Sequence, residues 1–250
     1  MFLGCPIRMI LRLGGGDLNA LFGIAGFAGG IGFGTIFLKK GYSLQRTYAL
    51  SKLESAMMPA IQVGLLVLVV TAPAFIFFSQ KGPGAMHAPW LISLAAGLVV
   101  GGLSQVSRLC TVGGFRDLFL FKKSILIFGY LAVLVGVFLV NISFGNFHLG
   151  FENQPIAHTD GLWNFLGMAL AGFCSVLLGG CPLRQLIMTG EGNSDSAVTV
   201  LGLAAGAAFA HNFGLAASGA GPTLNGQIAV GVGFVVALII AILNTKRANA

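Results

Sequence analysis

Charge is what this sequence has least of. Only 8% of its 250 residues are charged against 56% hydrophobic, whereas about a quarter of a soluble domain is usually charged. So few charges cannot cover a water-facing surface, and the composition predicts a multispanning membrane protein. Acidic residues are scarcer still, 7 against 14 Lys and Arg, for a net charge of +7. Several of the cations gather at the ends of apolar runs, so the excess fits a cytoplasmic membrane surface and not a nucleic-acid groove. There are four cysteines and no C-x-x-C pair, which argues against a structural zinc site and a thioredoxin-type redox motif. A disulfide framework is not expected in so apolar a bundle. The Leu3-Gly4-Cys5 run has the look of a lipoprotein cleavage site, but no basic n-region and no hydrophobic h-region precede it. Only one of the four histidines, His211, sits at membrane depth, which leaves no bis-histidine haem and no expected cofactor.

A helix needs about 20 apolar residues to cross roughly 30 Å of hydrocarbon, and seven runs qualify. They lie near Leu18–Leu38, Met57–Phe78, Trp90–Val106, Ser124–Ser143, Leu162–Leu178, Ala197–Ala217 and Gln227–Leu243. Lys39, Lys40, Arg46 and Lys52 follow the first, Arg108, Arg116, Lys122 and Lys123 the third, and Lys246 and Arg247 the last. If each run crosses once, all three clusters share one side, the cytoplasmic one by the positive-inside rule. Ser79–Pro89 and Gly145–Gly161 then face outward, with His87, His148 and His158 expected in water. Gly26, Gly30 and Gly34 recur at four-residue spacing, as do Gly97 and Gly101, and Gly202 and Gly206. Small residues so spaced allow close helix contact in lipid.

The remaining signal lies in the cysteines. Gly4-Cys5-Pro6-Ile7-Arg8 and Gly180-Cys181-Pro182-Leu183-Arg184 repeat one order, and Arg108-Leu109-Cys110 precedes Gly113-Gly114-Phe115-Arg116-Asp117. Proline suits the first turn of a helix, where its missing N–H would be unpaired anyway. A helix is therefore predicted to begin at each Cys-Pro, ending at Gly14-Gly15-Gly16 in one case and Gly190 in the other. Asp17 and Asp195 would cap the spans that follow. A half-helix N-terminus carrying a thiol favours an anion and the thiolate form. Arg8 and Arg184 would add charge or pair with a carboxylate. Under the single-crossing count the spans after Cys5 and Cys181 run in opposite directions, the mark of an inverted repeat such as many transporters use. Cys174 reads as packing, Glu191 as a loop residue, and His211 and Asn212 as either a helix-to-helix hydrogen bond or a substrate contact.

At these residues the chain resembles the YeeE/YedE family of membrane proteins, and most of all its YedE-type branch of selenium transporters. The likeness runs through Gly180-Cys181-Pro182-Leu183-Arg184-Gln185 to His211-Asn212-Phe213-Gly214, through Cys5-Pro6-Ile7-Arg8 to Asp17-Leu18-Asn19-Ala20, and through the Cys110 motif. The resemblance implies an all-α polytopic helix bundle in the bacterial cytoplasmic (inner) membrane, 1–250 forming one transporter domain. It implies a permease, not an enzyme, for a small selenium or sulfur anion such as thiosulfate, handed along Cys5, Cys110 and Cys181. Arg8, Arg108, Arg116, Arg184, His211 and Asn212 would support the relay, and a cytoplasmic sulfur- or selenium-carrier protein would receive the anion. Family members usually carry a further segment ahead of the first Gly-Cys-Pro copy, so the inverted repeat is expected to be incomplete and the chain shortened at its N-terminus. The rival readings are a membrane thiol oxidoreductase or sulfurtransferase using the same cysteines, and a structural membrane subunit.

Overall fold

The computed structural model describes residues 1–44, 51–71, 85 and 88–245. Arg46, His87, Lys246, Arg247 and most of Ser79–Pro89 lie outside them. The described residues form α1 (Pro6–Gly14), α2 (Asn19–Lys39), α3 (Lys52–Thr71), α4 (Trp90–Ser107), α5 (Thr111–Phe121), α6 (Ile125–Ser143), α7 (Gly161–Leu178), α8 (Pro182–Gly190), α9 (Ser194–Asn212) and α10 (Leu224–Leu243). Among them there is no strand, only isolated bridges such as Asp17 with Gly150. The fold is the all-helical polytopic bundle that the composition predicts.

Among the described residues six stretches are long and apolar enough to cross a membrane: Asn19–Lys39, Lys52–Thr71, Trp90–Phe121, Ile125–Ser143, Gly161–Gly190 and Leu224–Leu243. Two of these hold a break. Trp90–Phe121 is interrupted between α4 and α5, and Gly161–Gly190 between α7 and α8. The run near Ala197–Ala217 is helical too, as α9, but is not among the six. It opens on Ser194-Asp195-Ser196 and closes on His211-Asn212, and these polar ends shorten its apolar stretch.

The chain contacts gather into two compact units. One comprises Met1–Gln45, Leu109–Leu183 and Gly202–Ala250, the other Arg46–Arg108 and Arg184–Leu201. In the first, α2 and α7 run parallel with their backbones nearly touching. A β-carbon on Gly26 would collide with the Phe165 carbonyl and one on Gly30 with the Ala169 carbonyl, while one on Gly34 would sit 2.9 Å from Val176 Cγ1. No residue larger than glycine fits this seam, and contact of backbones over its length replaces the hydrophobic drive that lipid does not provide. Phe27, Ile31 and Phe173 are fully buried beside it, and Phe33 packs edge-on to Phe173 at 5.1 Å. The other glycine rows differ. Gly97, Gly101, Gly202 and Gly206 have nothing within 4 Å of a built β-carbon.

Short α1 closes against the seam, with Met9 and Ile10 buried and Gly14 pressed on Val137 of α6. It ends where the glycine triplet predicts. Asp17 accepts from the Asn19 amide at 2.9 Å, although the cap position of α2 itself is held by Leu18, whose side chain makes no cap bond, and it also takes the Arg12 guanidinium at 2.7 Å. Asp195 does not cap α9. It is exposed within the first turn, and Asn193 Oδ1 accepts the Ser196 N–H at 2.9 Å instead, because a cap must precede the first turn whose amides it satisfies. His158 is likewise not in water. It is buried at 4% exposure, with Nε2 2.9 Å from the Met1 carbonyl oxygen.

In the second unit Gln105 of α4 accepts from Arg184 Nη1 at 2.9 Å through Oε1 and donates to Glu191 through Nε2. The arginine finds an amide that relays it to a carboxylate, in place of a direct ion pair.

The seam makes a direct prediction. Gly30→Ala should destabilise the protein by roughly 1–3 kcal/mol through overpacking, read as a lowered midpoint of thermal unfolding in detergent, whereas Gly202→Ala should leave it unchanged. Equal effects of the two substitutions would show that the seam is not the tight contact described.

Candidate functional site

The three motif cysteines all stand where a helix starts. Cys5 is the N-cap of α1, in extended conformation, and its sulfur accepts the Arg8 N–H at 3.5 Å. Cys110 is the N-cap of α5 and accepts the Gly113 N–H at 3.3 Å. Cys181 immediately precedes Pro182, the first residue of α8. At each, the chain turns from a non-helical residue into a half-helix, so amides without a partner one turn back gather near the sulfur. A glycine makes the third of these turns. Gly179 ends α7 at φ +85°, donating to the Ser175 and Val176 carbonyls; only glycine takes that left-handed conformation without cost, and the chain reverses there to present Cys181.

Two of the thiols meet. Cys110 and Cys181 hydrogen bond through their side chains, and the Cys181 amide also donates to the Cys110 sulfur. Both are enclosed, at 8% and 1% exposure, within one cluster with Val112, Tyr130 and Val176. Cys5, in contrast, is exposed. Tyr130 of α6 stands between the motifs in a chemical sense: it is in electrostatic reach of both Cys5 and Cys181. Its hydroxyl donates to the Pro6 carbonyl oxygen at 3.2 Å, and its ring stands edge-on to Phe115 at 5.9 Å. Beside Cys110, Thr111 is 1% exposed and its hydroxyl has no hydrogen-bond partner among the described residues. Cys174 packs at the edge of a separate apolar cluster around Phe173 and Leu177.

The supporting residues are less gathered than their types suggest. Arg8 follows Cys5 on α1, is exposed, and lays its side chain over Gly4. Arg108 closes α4 in the left-handed conformation at φ 51°. Arg116 is half-buried and bound to its neighbour Asp117 at 2.8 Å, so its charge is compensated locally. Arg184 is held by Gln105, as above. His211 and Asn212 are the exposed last residues of α9, and the Asn212 amide donates back to Ala208 of its own helix at 2.8 Å. Among the described residues the Asn212 amide thus bonds within its own helix and not to another. A helix-end amide reaches the last turn of its own helix at least cost.

A family model described as sulphur transport matches residues 106–246. The chain belongs to that family. The matched span contains Cys110 and Cys181 and leaves out the Cys5 copy. No curated protein and no solved structure matches the chain. Family and fold together make this a multi-pass membrane protein of sulphur transport, with a small sulfur-containing anion as its cargo.

Sequence reasoning did not find Tyr130, Thr111 or Gln105. Tyr130 had a signal: it is one of three tyrosines and the only hydroxyl in the run Ile125–Val140, and a phenol in an apolar span usually has a partner. If its hydroxyl fastens α6 to the start of α1, Tyr130→Phe should cost about 1 kcal/mol, the net worth of a typical hydrogen bond. Thermal unfolding in detergent reads this directly, and an unchanged midpoint would show the hydroxyl to be idle.

Proposed function

We propose that the chain is a permease of the bacterial cytoplasmic membrane that passes a small sulfur or selenium anion inward along Cys5, Cys110 and Cys181. The observation that carries this reading is the contact between Cys110 and Cys181 at the starts of two half-helices. An anion leaving water loses strong hydration, which apolar helices cannot replace. Helix N-termini supply partial positive charge, worth up to about 2 kcal/mol each in partly buried geometry. Thiols are weak donors, which suits a carrier, because a site must bind well enough to admit the ion and weakly enough to release it.

The gradient of exposure orders the steps. Exposed Cys5 meets the anion first, and the enclosed pair takes it next, the transfer running through S–H contacts to the terminal sulfur of thiosulfate or the oxygens of selenite. No covalent bond is required. Arg8 adds positive charge at the first step, while Arg184 and Arg108 hold the chain at the interruptions of the helices. A cytoplasmic sulfur- or selenium-carrier protein then receives the anion. The opposite sense of the two Cys-Pro copies, an inverted repeat, belongs to the same reading.

The pair Cys110 and Cys181 also favours a second reading, a membrane thiol oxidoreductase or sulfurtransferase, since two thiols in contact can bridge. Uptake separates them. Cells lacking their own carriers and expressing this chain are expected to accumulate labelled thiosulfate or selenite, the preferred one naming the element. Cys181→Ala should abolish accumulation while the protein remains in the membrane. Undiminished uptake by that variant would end the relay, and absence of uptake of both anions by the unmodified chain would favour the enzyme.

A further inference from the structure

A cavity of about 420 Å³ lies along one face of α1, lined by Arg8, Arg12, Asp17, Asn146, His148 and Gln154 among others and by none of the cysteines. Its volume falls within the roughly 300–1,000 Å³ usual for small-molecule sites. Its walls are fastened together. The segment from His148 to Gly150 hydrogen bonds to 15–18 through His148 N–H to the Gly15 carbonyl (2.9 Å), Gly150 N–H to the Gly16 carbonyl (3.0 Å) and Leu18 N–H to the Gly150 carbonyl (3.0 Å). Gln154 ties the same segment from the other side, donating to the His148 carbonyl at 2.8 Å.

The charge of this cavity is set by how its one carboxylate is used. Asp17 holds Arg12 Nε at 2.7 Å through one oxygen, and through the other accepts both the amide and the side chain of Asn19, at 2.9 and 3.0 Å. Its acceptors are spent within its own turn. Arg12 is more than nine-tenths buried; its guanidinium lies over the Phe2 ring at 4.3 Å and its Nη1 donates to the Leu3 carbonyl at 3.4 Å, yet its Nη2 has no partner among the described residues, and an unmet charged donor favours an anion beside it. Arg8 has no carboxylate partner among the described residues either, and no other acidic residue lines the cavity. Asn146 and His148 are exposed at its rim, with side chains that make no hydrogen bond among the described residues.

We propose that this cavity is a docking site for a small tetrahedral oxyanion, held between Arg8 and the Asp17-locked Arg12 and distinct from the enclosed pair Cys110 and Cys181. It lies at the start of α2, opposite Lys39 and Lys40 at that helix's end. If those lysines are cytoplasmic by the positive-inside rule, the site opens to the exterior, where it concentrates the anion ahead of Cys5. In this role it rests on the permease reading. A lipid phosphate has the same chemistry, so the test must tell a free anion from a headgroup.

The experiment is calorimetric titration of thiosulfate into the purified full chain in detergent, carrying Cys110→Ala and Cys181→Ala so that the enclosed thiols contribute nothing. Binding is expected to persist. Asn146→Asp should weaken it and Asn146→Lys strengthen it by roughly threefold to tenfold, the scale of one charge several ångströms away at a partly screened site. Because Asn146 is exposed, neither variant threatens folding. Binding indifferent to both substitutions, or lost with the thiols, would overturn the site while leaving the permease intact. Binding of a short-chain anionic phospholipid with no thiosulfate binding would overturn it in favour of a headgroup. Charge-sensitive binding in a chain that fails to accumulate thiosulfate in cells would retain the site and remove the permease.

Discussion

A helix that stops inside a membrane leaves amides and carbonyls that lipid cannot satisfy, so it must stop where protein surrounds it. Two interruptions, ahead of Cys110 and Cys181, impose that demand here, and the parallel seam of α2 and α7 meets it. Gly26, Gly30 and Gly34 bring the two backbones together, and the cluster that forms alongside contains Cys110, Cys181 and Tyr130. The thiols themselves answer part of the need. Cys5 and Cys110 each accept a backbone amide of the half-helix they begin, so the group that is proposed to meet the anion is also the group that caps the helix. An arriving anion would compete for those same amides.

This coupling explains why charge is so sparse and so local near the motifs. Arg116 is matched by Asp117, Arg12 by Asp17, and Arg184 by Gln105 and through it Glu191. Fixed charge in a low dielectric is expensive unless partnered, and a carrier with bare arginines at its enclosed thiol pair would hold the anion there too tightly to release. Weak thiol donors at dipole ends are a gentler means of replacing water. Among the described residues, the cation left with an unmet donor at burial is Arg12, which lies in the cavity along α1 and not at the thiol pair.

Much of this could be read from the sequence because the chemistry is local. Pro6 and Pro182 fix helix starts whatever surrounds them, and Gly14 and Gly190 end those helices where the glycines stand. What could not be read depends on partners far away in sequence. Three glycine rows share one spacing, yet only the row in α2 meets another backbone, since spacing describes a helix face and not what lies opposite it. His158 sits in a polar loop but is buried against the Met1 carbonyl, 157 residues away in the chain. Tyr130 reaches Pro6 over a separation of 124, and Gln105 reaches Arg184 over one of 79. Asp195 shows a different limit. Asn193, Ser194 and Asp195 are all good caps, and the choice of Asn193 rests on a register of one turn that composition does not encode.

The central claim is that Cys110 and Cys181 meet on the path of the anion. It is tested most directly by oxidising the Cys174→Ser chain in membranes with copper phenanthroline, then mapping linked peptides and measuring thiosulfate uptake in the same preparation. The account predicts a disulfide between Cys110 and Cys181 and a loss of uptake that dithiothreitol reverses. A disulfide that forms while uptake continues would place the pair off the path, and two thiols that label independently with no link between them would show that they do not meet.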